Sequence, residues 1–203
     1  MSTVSSQVLD ALHPSEPIYA VLDGARDRRM KAWIDSTRAP AWCLLRGELH
    51  PELAQNAPYL MRLGRGHAFT EQFFGMGFGN AWGILFASSA SSSELRRHLR
   101  RFLRARTEAG KILAFRYYDP RVLRLYLPTC TPEEIKIFFG PITAMAAEAK
   151  EKDRLHVFRS GPAGLVAKRF ELARAAAPEP QPASPKQGRA PEGLGAQARR
   201  VAR

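Results

Sequence analysis

The chain is poor in cysteine, short of acids and without any long apolar run, and each shortage removes a class of protein. Cys43 and Cys130 are its only cysteines in 203 residues, with no CxxC pair and no framework spacing. A disulfide-stapled fold is thereby set aside, a reducing compartment fits, and both residues are expected as core thiols. No stretch approaches the roughly 18 apolar residues of a membrane span. The opening MSTVSSQVLDAL lacks the basic and continuous apolar regions of a secretion signal, so a cytoplasmic location is expected. Only 19 Asp and Glu stand against 31 Lys and Arg, a balance of +12 that points to an anionic partner such as nucleic acid or a membrane surface. What the chain does have is apolar material: 45% apolar residues, with 11 Phe, 5 Tyr and 3 Trp. A chain of this length buries roughly 70% of its unfolded surface and needs neither metal nor disulfide to fold, which excludes wholesale disorder.

Composition divides the chain into a lead over 1–16, a folded domain over 17–173 and a tail over 174–203. The tail has five prolines, many alanines and no aromatic residue. It is expected to be a disordered basic segment ending in Arg199, Arg200 and Arg203. Within the domain, short branched or aromatic runs alternate with amphipathic stretches. This predicts an α/β fold, a single domain of alternating short strands and amphipathic helices around a mixed sheet. Strands are expected at Ile18–Leu22, Ala41–Leu45, Tyr59–Leu63, Trp82–Ala87, Ile112–Tyr117 and Leu155–Phe158. Met30, Trp33 and Ile34 mark a first helix, a short one follows Pro51, and Phe69, Phe73 and Met76 mark another, ended by the glycines at 75, 77 and 79. Ser91 and Glu94 have capping-box spacing before a helix reaching about Arg106. Thr131, Pro132 and Glu134 open the next, which Gly140 and Pro141 break. Residues 164–172 fit neither period.

The charge is local. Glu94 to Arg106 carries six arginines and one acid, or +5, and the tail carries six basic and two acidic residues, or +4, leaving only +3 for the rest. Arg96, Arg97, Arg100, Arg101 and Arg104 fall opposite the leucine stripe, as a solvated face, a dock for an acidic protein or, less readily because charge alone sets no specificity, a nucleic-acid contact. GMGFGN at 75–80 looks like a phosphate loop, but it follows a helix and precedes a strand, the reverse of the dinucleotide order, so a helix end and turn explain it. Asp119, Glu134 and Lys136 imitate the spacing of metal-dependent nucleases. Glu134 and Lys136, however, fall in the first turn of a helix and diverge. The five histidines, His13, His50, His67, His98 and His156, show no metal spacing. No catalytic set, metal or cofactor is therefore expected. The richest stretch is FRYYDPRVLRLYLPT, where Asp119 caps a turn opened by Pro120 and clusters with Arg116 and Arg121.

IYAVLDGA (18–25), WGILF (82–86), LRRHLRRFL (95–103), FRYYDPRVL (115–123) and FFGP (138–141) occur in the order seen in the Tap/TEC family, and over about residues 17–160 the chain resembles it. The resemblance implies a non-enzymatic cytoplasmic adaptor that binds a type VI secretion effector and helps load it onto the VgrG spike. By motif position, Asp23 and Arg26 match the LDGA-R element, Arg97 and Arg101 the basic helix, and Asp119 and Arg121 the YDPR element. With Arg100 and Arg116 these are the expected partner-binding residues. The alternative is a nucleic-acid-binding protein using the arginine helix and the basic tail.

Overall fold

The structure, a computed structural model, describes residues 3–37, 39–151 and 153–172. The tail expected over 174–203 lies outside the described residues. In chain order the elements are α1 (Thr3–Leu12), β1 (Ile18–Asp23), α2 (Met30–Ser36), β2 (Ala41–Cys43), α3 (Pro51–Asn56), β3 (Pro58–Leu63), α4 (Ala68–Gln72), β4 (Gly83–Ala87), α5 (Ser92–Arg100), β5 (Arg104–Arg106), β6 (Ile112–Ala114), α6 (Pro120–Tyr126), α7 (Pro132–Phe139), β7 (Ala144–Glu148), β8 (Arg154–Gly161) and β9 (Gly164–Glu171).

Seven strands form one sheet in the order β2-β3-β1-β4-β7-β8-β9, and β5 with β6 forms a separate hairpin. The α/β domain is as expected, but its sheet is antiparallel in every ladder among the described residues rather than mixed. The links from β7 to β8 and from β8 to β9 are only a few residues long, which antiparallel neighbours permit and parallel ones do not. All six residues of β1 are buried. Ile18, Ala20 and Leu22 face a core shared with α1 and α2, while Tyr19 and Val21 face a second core closed by α5, α6 and α7. A strand covered on both faces reads as a continuous apolar run, and so IYAVL was legible.

The lead over 1–16 contains α1, whose Val8, Leu9 and Leu12 are fully buried. The ambiguous 164–172 stretch is β9, paired along its length with β8. The helix expected to reach Arg106 stops at Arg100. Its carbonyl at Leu99 accepts the Tyr117 hydroxyl, and Phe102 and Leu103 continue as a turn into β5. The strand expected over Ile112–Tyr117 shortens to β6, because Phe115 donates its N–H to Leu103 and Asp119 closes a turn onto the Arg116 carbonyl. No helix among the described residues is long and apolar enough to cross a membrane.

Candidate functional site

The motif residues meet where β1 ends and α6 begins. Asp23 follows the last buried apolar residue of β1 and accepts the Ala25 N–H at 3.1 Å, starting a single 3-10 turn over Gly24–Arg26. Gly24 is required here: a Cβ would stand 2.4 Å from the Gln55 carbonyl oxygen. The Asp23 carboxylate is wholly buried, and the Arg116 guanidinium donates to it. Asp119 is the N-cap of α6, with Pro120 in the first turn, and accepts from the Arg121 N–H at 2.9 Å. Arg121 also donates from its side chain, Nε at 2.9 Å and Nη2 at 2.5 Å. Burial raises the Asp119 pKa, but the hydrogen bonds from Arg121 and the charges of Arg121 and Arg26 outweigh it, so the carboxyl titrates below its usual range. Between these pairs lies Tyr118, its phenol pushed up to about 12 by burial first and then by the charge of Asp23. Asp23, Arg26, Arg116, Asp119 and Arg121 are thus brought together.

Beside this cluster opens a cleft of about 770 Å³ lined by Arg26, Arg29, Arg121, Arg124, Lys150 and Trp82 among others. Its two acids are both engaged. Asp27 is held by Arg29, whose hydrogen bonds lower its pKa to about 2. Glu148, at the end of β7, accepts the N–H groups of Gly79 and Ala81 at 2.5 and 2.7 Å. The glycine segment is the helix end and turn expected: α4 passes into a π-helical turn over Phe73–Gly77, and Gly79 and Ala81 both take positive φ. Of the amides this loop could offer a phosphate, those of Gly79 and Ala81 are occupied by the protein's own carboxylate and those of Phe78 and Asn80 by main-chain carbonyls. Arg26 donates to the Asn80 carbonyl at 3.2 Å and fastens the loop to the motif cluster.

The basic helix divides by role. Arg97 and Arg101 are exposed. Arg100 is bound into the fold, donating to the carbonyls of Leu44, Cys43 and Leu45 at 2.8, 3.0 and 3.1 Å. Arg104 lies beyond α5, in β5. His98 is buried, and its Nε2 donates to the Phe138 carbonyl at 2.8 Å. Gly140 makes room for that ring: at φ +49° its Cβ would lie 2.4 Å from His98 Cε1. No residue of α5 lines the cleft. In the nuclease-like set, Glu134 forms a capping box with Thr131, and Asp119 is engaged by Arg121. Among the described residues no three His, Cys, Asp or Glu side chains gather as metal ligands. Cys43 and Cys130 are free and half-buried rather than fully in the core.

Neither Glu148 nor Arg124 is foreshadowed by a local pattern. The first is the lone acid ending an alanine-rich strand, and the second donates to the Glu148 main-chain carbonyl from α6. Their roles depend on contacts across the fold that no local pattern encodes.

Fold and surface together define a single α/β domain in which Asp23, Arg116, Asp119 and Arg121 are locked at one end of the sheet beside a basic cleft. The chain belongs to the family described as Domain of unknown function (DUF4123), whose model matches residues 18–136, from the first residue of β1 into α7. No curated protein and no solved structure matches it.

Proposed function

We propose that this protein is a non-enzymatic cytoplasmic adaptor that binds a type VI secretion effector and helps load it onto the VgrG spike. The observation that carries the reading is the ordered motif set. Four of the five segments that resemble the Tap/TEC family lie inside the DUF4123 match, and the fifth, FFGP, adjoins it. The state of the charged motif residues supports recognition rather than turnover. Asp23 and Asp119 are buried and tied to arginines and to backbone N–H groups, as parts of a rigid frame. The exposed cations beside them, in the cleft and on α5, are suited to steering and orienting an acidic protein surface.

The test is co-expression with a candidate type VI toxin, followed by affinity purification through a tag on the adaptor. A stoichiometric complex, with the toxin more soluble or longer-lived than when alone, is expected. Failure of the two proteins to co-purify, with no effect on the toxin's stability or delivery, would overturn the reading. Retardation of DNA or RNA that weakens steeply with salt would point instead to nucleic-acid binding.

A further inference from the structure

A second concavity, of about 830 Å³, lies between the segment Leu44–Pro58 on one side and the end of α5 with the β5–β6 hairpin on the other. Its surface is aliphatic where solvent should favour polar groups: Leu53 is 50% exposed, Ile112 58% and Leu113 43%. Three of the chain's exposed large apolar side chains thus share one groove. Every residue of β5 and β6 is exposed, and a lone two-stranded hairpin is marginal in water without something packed against it.

The charged groups around the groove are all cationic. Arg46, Arg100, Arg101 and Arg104 line the groove, and no carboxylate does. Arg46, Arg101 and Arg104 have no acidic partner among the described residues, and Arg100 is engaged only with backbone carbonyls. Desolvation, and after it the like charges of Arg96 and Arg46, hold the Arg100 pKa below its usual value. Uncompensated like charges around an apolar floor favour an occupant that supplies carboxylates.

We propose that this groove holds the adaptor's partner, taking an amphipathic segment of the effector whose apolar side chains are flanked by Asp or Glu. The proposal rests on the adaptor reading above and names its surface. Phe115 and Tyr118 also line the groove, but Tyr118 is buried and Phe115 packs against Tyr117 and Tyr126, so the exposed apolar surface is aliphatic and offers bases little to stack on, which disfavours single-stranded nucleic acid. The chain's own segment from Arg174, with six basic and two acidic residues, is repelled by such a rim. A carboxylate-bearing segment satisfies floor and rim together, with arginine forks meeting carboxylates in paired hydrogen bonds.

The experiment measures affinity for the toxin that co-purifies with the adaptor, or for the candidate toxin tested above, by biolayer interferometry, using the full chain and three variants. Ile112→Asp with Leu113→Asp spoils the floor, Arg101→Glu with Arg104→Glu reverses the rim, and Lys168→Glu changes an exposed cation of β9, at the opposite edge of the sheet. Both groove variants should bind at least roughly tenfold more weakly, Lys168→Glu within about twofold of the parent, and parental affinity should fall with added salt. Thermal unfolding checks each variant. Should the hairpin pair fail to fold, the arginine pair decides alone, since its side chains are at the surface. If the parent binds and folded groove variants bind equally well, the groove is wrong and the adaptor reading stands. If the parent does not bind the toxin, the adaptor reading fails and this proposal with it. Groove-dependent retention of single-stranded DNA in place of the toxin also overturns it.

Discussion

Asp23 and Arg116 stand 93 positions apart and form an ion pair whose carboxylate is wholly buried while the arginine side chain is 44% exposed. The two ends are therefore unequal. Removing the arginine strands a buried charge, whereas removing the acid leaves a guanidinium that can still reach water. Arg116→Ala should cost about 3 kcal/mol, and Asp23→Asn, which keeps an acceptor for the Ala25 N–H, about 1 kcal/mol. Arg116→Ala made in the Asp23→Asn background should cost much less than alone. Urea unfolding of the four proteins measures this coupling, and equal costs in both backgrounds would show that the pair does not hold β1 to the turn before α6.

What the sequence could tell about this site follows from how local each signal is. Asp23 before Gly24, and Asp119 before Pro120, are cap signals contained within three residues, and both caps are present. That Arg116 answers Asp23 rather than its neighbour Asp119 depends on how α6 docks against the sheet, which no spacing encodes. β7 was hidden for a related reason: AMAAE has neither alternation nor branched residues, and it is a strand because β4 and β8 flank it. The arginine helix ends nearly two turns short of the Arg106 that its pattern predicts. Capping at Ser91 was visible, but the stop at Arg100 comes from tertiary contacts around Leu99 and Leu103.

Glu148 ties the end of β7 to the glycine loop through two N–H groups. Glu148→Ala leaves both without their acceptor and should cost about 2–3 kcal/mol, while Glu148→Gln retains one carbonyl oxygen and should cost about half as much. Amide hydrogen exchange gives the specific readout. Exchange at Gly79 and Ala81 should accelerate in Glu148→Ala well beyond that at the β1 amides, and uniform acceleration would mean that the carboxylate stabilises the fold without holding this loop.

His98 makes stability depend on pH. Burial lowers its pKa from 6.5, against the smaller opposing effect of its bond to the Phe138 carbonyl. The folded state therefore favours the neutral ring, and the unfolded chain takes up the proton first on acidification. The stabilisation is fully present above pH 6.5 and is lost as pH falls from there toward the depressed folded value. His156 is shifted the same way, by desolvation first, and adds to the loss. The melting temperature should decline between pH 7.5 and 5.5, and less so in His98→Gln, which keeps a donor for the carbonyl but does not titrate. The lowered carboxyls of Asp27 and Asp119 act at more acidic pH, because their ordinary value is 3.8. An unchanged slope in His98→Gln would remove His98 as the cause.

Arg97 and Arg100 occupy one helix and do different work, so reversing them together confuses folding with docking. The Arg100 fork reaches three successive carbonyls, from Cys43 to Leu45, where the chain leaves β2, and pins that edge of the sheet to α5. Hydrogen bonds from a charged donor contribute about 1.5–3 kcal/mol each, but carbonyls released near the surface regain water. Arg100→Ala should therefore cost about 2 kcal/mol in all. Arg100→Lys should recover less than half, since a single ammonium cannot span the carbonyls that a planar fork does. Arg97→Ala, at an exposed position with no bond of this kind, should stay within about 0.5 kcal/mol of the parent. Urea unfolding separates the two. Equal small losses would mean that the Arg100 fork does not anchor β2, and a large loss at Arg97 would mean that its exposed side chain supports the fold.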